Sequence, residues 1–101
     1  MPALERGVLP TNYRIFETAQ FQKDLRYLGR AGHTSLARRI ESVVYQQIRE
    51  HPHYGPNIKK LKGYEPETWR YLIGAWRFFY EIDDGERVVF MVAASHRGSA
   101  Y

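Results

Sequence analysis

Cysteine is absent from this 101-residue chain. That excludes disulfides, zinc–thiolate centres and cysteine nucleophiles together, and it suits a reducing compartment. No apolar run approaches the roughly 18 residues a membrane-spanning helix needs. The first residues also lack the apolar stretch of a signal peptide, so a cytoplasmic protein without a membrane partner is expected. The glycines are scattered as turn residues, and none forms a phosphate-cradling loop. His33, His51, His53 and His96 do not stand at metal-ligand spacing. No metal and no cofactor are therefore expected. Asp83 and Asp84 sit beside Gly85, where a turn explains them better than paired-acid catalysis does. The serines have no nucleophile-elbow context.

What the chain does contain is ordinary for one globular domain. Hydrophobic residues make up 44% and charged residues 26%, enough apolar material for a core and too much for disorder. The net charge of +4 favours acidic partners such as nucleic acid or an acidic protein. Residues 1–12 hold two prolines and a glycine without periodicity and read as a flexible tail, leaving 13–101 as the domain.

Tyr13 to Glu17 mixes aromatic and β-branched residues and reads as a first strand. Thr18 is a helix cap, followed by Phe21, Leu25 and Leu28 on one helical face. Gly29 to Gly32 ends that helix. A second helix opens at Thr34 or Ser35, with Leu36, Ile40, Val43, Val44 and Ile48 as its apolar stripe, and stops at His51-Pro52. Strands follow: one around Ile58–Lys62, then Trp69–Ile73, Trp76–Ile82 and Val88–Val92, with a hairpin turn at Asp83–Glu86. Aspartate and glycine there tolerate the left-handed conformation such turns require. The predicted fold class is α+β: a strand, a two-helix hairpin, then three to four mainly antiparallel strands in one twisted sheet.

The late strands carry cations among aromatics. Alternation puts Phe78, Tyr80 and Ile82 on one face, under the helices, and Arg77, Phe79 and Glu81 on the other. Arg70 shares a face with Leu72. Lys59, Lys60 and Lys62 form a dense basic stretch that either guards an edge strand against aggregation or binds an anion. Arg77 lies mid-strand, where a guanidinium needs either an internal acid (Glu81, Asp83 or Asp84) or a ligand. Trp69, Tyr71 and Trp76 are packing residues or stacking platforms for bases.

In order along the chain, the early strand, the Phe21–Leu25 helix, Lys60-Leu61-Lys62-Gly63, Trp69–Gly74, Trp76–Ile82, the apolar strand, His96-Arg97 and Tyr101 resemble the RelE/ParE superfamily of bacterial toxins. The resemblance covers residues 13–101. It implies a compact α+β toxin of a toxin–antitoxin pair, with a cognate antitoxin as partner. In the RelE branch it further implies a ribosome-dependent, metal-independent endoribonuclease, with the ribosome and mRNA as partners. There the 2′-hydroxyl attacks the adjacent phosphate and translation stops. In the ParE branch it implies a DNA gyrase inhibitor without nuclease activity.

Carried onto this chain, the nuclease pattern assigns Lys60, Lys62, Arg77, His96, Arg97 and Tyr101 to catalysis and Lys59 and Arg70 to RNA binding. Fixed cations stabilise the charge that builds on the phosphate oxygens. A lysine crowded by other cations would lose its proton more easily and could serve as base. Lys60, Lys62, His96 and Tyr101 are the candidates for proton transfer, with Lys62 or His96 as base and Tyr101 as base or stacker. The antitoxin is expected to cover or distort the basic face with a helix or strand.

Overall fold

The computed structural model describes residues 12–96. The tail read over 1–12 lies outside that range except for Asn12, and Arg97 and Tyr101 lie outside it as well. Strand β1 (Arg14–Glu17) leads into helix α1 (Ala19–Arg30). Helix α2 (Thr34–Arg39), a π-helical segment (Ile40–Val44) and α3 (Tyr45–Glu50) then run on without a break. Strands β2 (Ile58–Lys60), β3 (Trp69–Ile73), β4 (Trp76–Asp83) and β5 (Val88–His96) complete the chain. They form one sheet in the order β1-β5-β4-β3-β2. β1 pairs parallel with β5, and every other pairing is antiparallel. The α+β expectation holds, with the helices on one face. Among the described residues, no helix is long and apolar enough to cross a membrane.

The helix signals act as read. The Thr18 hydroxyl accepts from the Phe21 N–H at 3.2 Å, and donates to the Met91 carbonyl at 3.0 Å, tying the α1 start to β5. At the far end His33 N–H reaches Leu28 O and Gly32 N–H reaches Gly29 O. Gly32 has φ +91°, so this is a Schellman ending that needs glycine. Phe21 and Leu28 are buried against Phe78 and its neighbours.

The second helix departs from its predicted stripe. Val43 is 43% exposed, whereas Tyr45 is buried. The cause is the π-helical segment, in which Tyr45 N–H bonds Ile40 O, one residue beyond the α-helical partner. The added residue rotates the face, so Ile40, Val44, Tyr45 and Ile48 point inward.

Opposite these helices the sheet contributes Trp69, Tyr71, Trp76, Phe78, Tyr80, Val89 and Met91. Two core tyrosines keep their hydroxyls satisfied. Tyr80 donates to Pro52 O at 2.7 Å and Tyr71 to Gln47 Oε1 at 2.8 Å. Burial raises the Tyr80 phenol above its ordinary range.

The β4–β5 turn forms where expected but uses a different residue for its left-handed position. Arg87 has φ +54°, not an aspartate or glycine. Asp83 Oδ1 takes the Glu86 N–H at 3.0 Å. Arg87 is held by its carbonyl, which accepts from Arg14 N–H, and by its guanidinium lying 4.4 Å from the Tyr13 ring centre.

Candidate functional site on the outer sheet face

Strand pairing sorts the predicted cations by face. Lys59 pairs with Arg70, Arg70 with Phe79, and Phe79 with Ala93. In the next row Leu72 pairs with Arg77 and Arg77 with Ser95. Cross-strand partners share a face, so Lys59, Arg70 and Arg77 all lie on the side away from the helices. Phe79 stands in their midst and is 3% exposed, although it takes no part in the helix-side core. The Nε of Arg70 and the Oγ of Ser95 are buried on this face and make no hydrogen bond among the described residues. Buried polar atoms are satisfied in the great majority of cases, so two on one cationic face are suited to an anionic ligand.

Arg77 Nη2 donates to the His96 carbonyl at 3.1 Å, which fixes the guanidinium beside the end of β5. Asp83 and Asp84, two of its proposed internal partners, are engaged elsewhere. Asp83 caps the turn, and Asp84 accepts from Tyr13 at 2.6 Å and meets His53 Nε2 at 3.0 Å. The Tyr13 hydrogen bond holds the Asp84 carboxyl below its usual range, with His53 and Arg87 helping. The same bond raises the Tyr13 phenol. This Tyr13–Asp84–His53 cluster was not foreseen, because residues 31 and 71 positions apart carry no local pattern.

Lys60 does not join the cationic face. It pairs with Trp69, a core residue, and so points to the opposite side of β2. Its Nζ lies 2.7 Å from Glu67 Oε2 and 5.9 Å from the Trp69 ring centre. It is therefore paired with a carboxylate rather than crowded by cations. Lys62 lies beyond β2 in the turn, in a concavity shared with Glu65 and Glu67. The edge-strand reading fits β2, which is the last strand on that side of the sheet.

His96 is displaced by a bulge. Phe79 pairs with Ala93 but Tyr80 with Met91, so Val92 is an extra residue in β5. Beyond it the alternation inverts. Ala94 and His96 turn toward the helices and Ser95 turns to the outer face with Arg77. The His96 ring meets Trp76 edge-on at 5.3 Å, at the rim where the two faces meet. Among the described residues no group of three or more histidines, aspartates or glutamates could hold a metal.

Residues 13–101 match the family model for the ParE toxin of type II toxin–antitoxin systems, parDE. No curated protein matches the chain. Solved structures do. The toxin–antitoxin complex RelBE2 of Mycobacterium tuberculosis contains a chain 22% identical, covering 85% of this chain and 99% of that one, with TM-score 0.69. The archaeal RelE–RelB complex of Pyrococcus horikoshii gives 23% identity, 88% and 99% coverage, and TM-score 0.69. The YoeB/ParE toxin of Agrobacterium tumefaciens gives 15% identity, 83% and 98% coverage, and TM-score 0.68. At these identities the likeness establishes a common fold.

Proposed function

Since this chain belongs to the ParE toxin family of type II toxin–antitoxin systems and is a toxin of such a pair, we propose that it acts as a ribosome-dependent mRNA endoribonuclease. The observation that carries this reading is the outer sheet face, where Lys59, Arg70 and Arg77 converge around Phe79 with buried, unpartnered Arg70 Nε and Ser95 Oγ. That is a surface suited to a phosphodiester backbone.

In this mechanism the 2′-oxygen attacks the neighbouring phosphorus while the P–O5′ bond breaks, leaving a 2′,3′-cyclic phosphate. Arg77 and Arg70 bind the non-bridging oxygens, whose negative charge grows in the transition state. The planar guanidinium suits two oxygens at once. Lys62 or Tyr101 takes the 2′-hydroxyl proton, while His96, turned to the helix side, acts through its carbonyl, which holds Arg77. Arg97 adds charge, and the other of Lys62 and Tyr101 returns a proton to the departing 5′-oxygen. Lys59 tracks the adjoining phosphate. Lys60 has a structural part through Glu67.

The partner that silences the toxin is a cognate antitoxin, as in the complexes of the structural neighbours. Its helix or strand covers the outer face. Primer extension on transcripts after brief induction tests the activity. New 5′ ends inside reading frames support it, and their persistence at wild-type level in both Arg77→Ala and Arg70→Ala would remove the assigned roles.

A second reading is gyrase inhibition without nuclease activity. It is favoured by the parDE description of the matched family and by Lys60 standing apart from the cations. Double-strand DNA breaks and an SOS response, without mRNA cuts, would select it.

A further inference from the structure

A second concavity, separate from the outer face, lies between the C-terminal half of α1, the turn into α2 and the end of β5. Its volume is about 380 Å³, and its walls include Asp24, Tyr27, His33, Trp76 and His96. That volume falls within the range of small-ligand sites. Trp76 forms the floor, with the His33 and His96 rings each edge-on to it at 5.3 Å. Tyr27 stands on α1 at 60% exposure, so core packing does not account for it.

Among the described residues Asp24 is the one carboxylate lining the cavity. Its Oδ2 takes the Ala94 N–H and its Oδ1 the Gln20 amide, both at 2.8 Å. These bonds set its plane, and each oxygen retains a further lone pair for another donor. The cavity adjoins the cationic face across one strand. His96 lies opposite Trp76 on this side, Ser95 lies opposite Arg77 on the other, and Arg77 holds the His96 carbonyl. The cavity and the Arg77 guanidinium thus lie at the same end of β5, on opposite faces of the sheet.

We propose that this cavity binds a guanine base of the RNA substrate, with Asp24 reading its pairing edge and Tyr27 and His33 contacting its flat surface. Guanine offers adjacent N1–H and N2–H donors, which match a carboxylate with two acceptor oxygens. The other bases place an acceptor at one of these positions or carry a single donor there. A single-stranded base swung out onto aromatic rings and hydrogen-bonded on its edge is the usual mode of sequence-specific RNA recognition. This inference rests on the nuclease reading for its biological use, though not for its binding measurement.

The test titrates GMP, AMP, CMP and UMP into the full chain and follows tryptophan fluorescence and amide chemical shifts. Wild type should bind GMP at least about tenfold more tightly than the others, the discrimination a two-bond base contact gives. Asp24→Asn keeps an acceptor for Ala94 N–H and should abolish the preference. Tyr27→Ala, at an exposed position, should weaken all four nucleotides alike.

In parallel, cleavage sites are mapped on induced transcripts, where Asp24→Asn should spread cuts that wild type concentrates beside guanine. Equal binding of all four nucleotides by wild type, binding of N-acetyl-arginine amide in their place, or no binding at all overturns the proposal even if mRNA is cut. Selective GMP binding lost in Asp24→Asn, with no mRNA cleavage by wild type, upholds the cavity and overturns the nuclease reading.

Discussion

Lys59 and Lys60 are adjacent in sequence and opposite in direction, and this pair gives a sharp test of the sorted sheet face. Lys59→Ala and Lys60→Ala each lower the net charge from +4 to +3. Long-range attraction for RNA therefore falls equally in both, and any difference reports the face. If Lys59, Arg70 and Arg77 each meet one phosphate, log K against log salt should fall with a slope of about −2, since each single-strand contact contributes about −0.7. Removing Lys59 should flatten that slope by about 0.7. Removing Lys60 should leave it nearly unchanged, because that ammonium sits 2.7 Å from Glu67 on the helix side of β2. The assay is fluorescence anisotropy with a labelled 2′-O-methyl RNA, which cannot be cleaved, between about 50 and 200 mM salt. Equal flattening by the two variants would refute the assignment of cations to faces.

The fold's own polar links give further predictions. Tyr80→Phe leaves the Pro52 carbonyl without its buried donor and should cost about 1–3 kcal/mol, read as a lower urea midpoint with an unchanged m-value. Gly55→Ala should destabilise by a similar ~1–3 kcal/mol, since φ +155° suits only glycine and a Cβ would stand 2.2 Å from the Gln47 amide that serves Tyr71. The folded Asp84 carboxyl titrates below its ordinary 3.8, so its stabilising contribution is present above about pH 4 and lost as pH falls through the lowered value. Tyr13 is raised above 10.0, so its contribution is present below pH 10 and lost as pH rises through the raised value. Asp84→Asn should therefore flatten the urea midpoint against pH at both ends. An unchanged profile would mean the cluster adds nothing to stability. Arg77→Ala should slow mRNA cleavage about 10²–10³-fold, measured as single-turnover rate on programmed ribosomes.

Local chemistry explains what the sequence made legible. Thr18, the Gly32 ending, His51-Pro52 and the β4 alternation are each decided within a few residues, and each stands in the structure as read. The site was legible only in part, because its arrangement depends on insertions that alternation cannot register. Val92 inverts the last residues of β5 and sends His96 to the helix side. The π-helical segment turns Tyr45 inward and Val43 outward. Lys60 was grouped with Lys59 because both are basic, yet a strand parts neighbours by construction. Asp24 and Tyr27 gave no signal at all, since what makes them a cavity wall is the approach of β5 from 70 residues away.

The most direct test of the central claim is a reconstituted translation reaction in which purified toxin meets ribosomes paused on a defined mRNA, with the 3′ ends of the products analysed chemically. Outer-face catalysis predicts fragments ending in 2′,3′-cyclic phosphate for wild type and intact mRNA for the Arg70→Ala, Arg77→Ala double variant. Intact mRNA with wild type, while supercoiling by purified gyrase is inhibited by the same preparation, would contradict it.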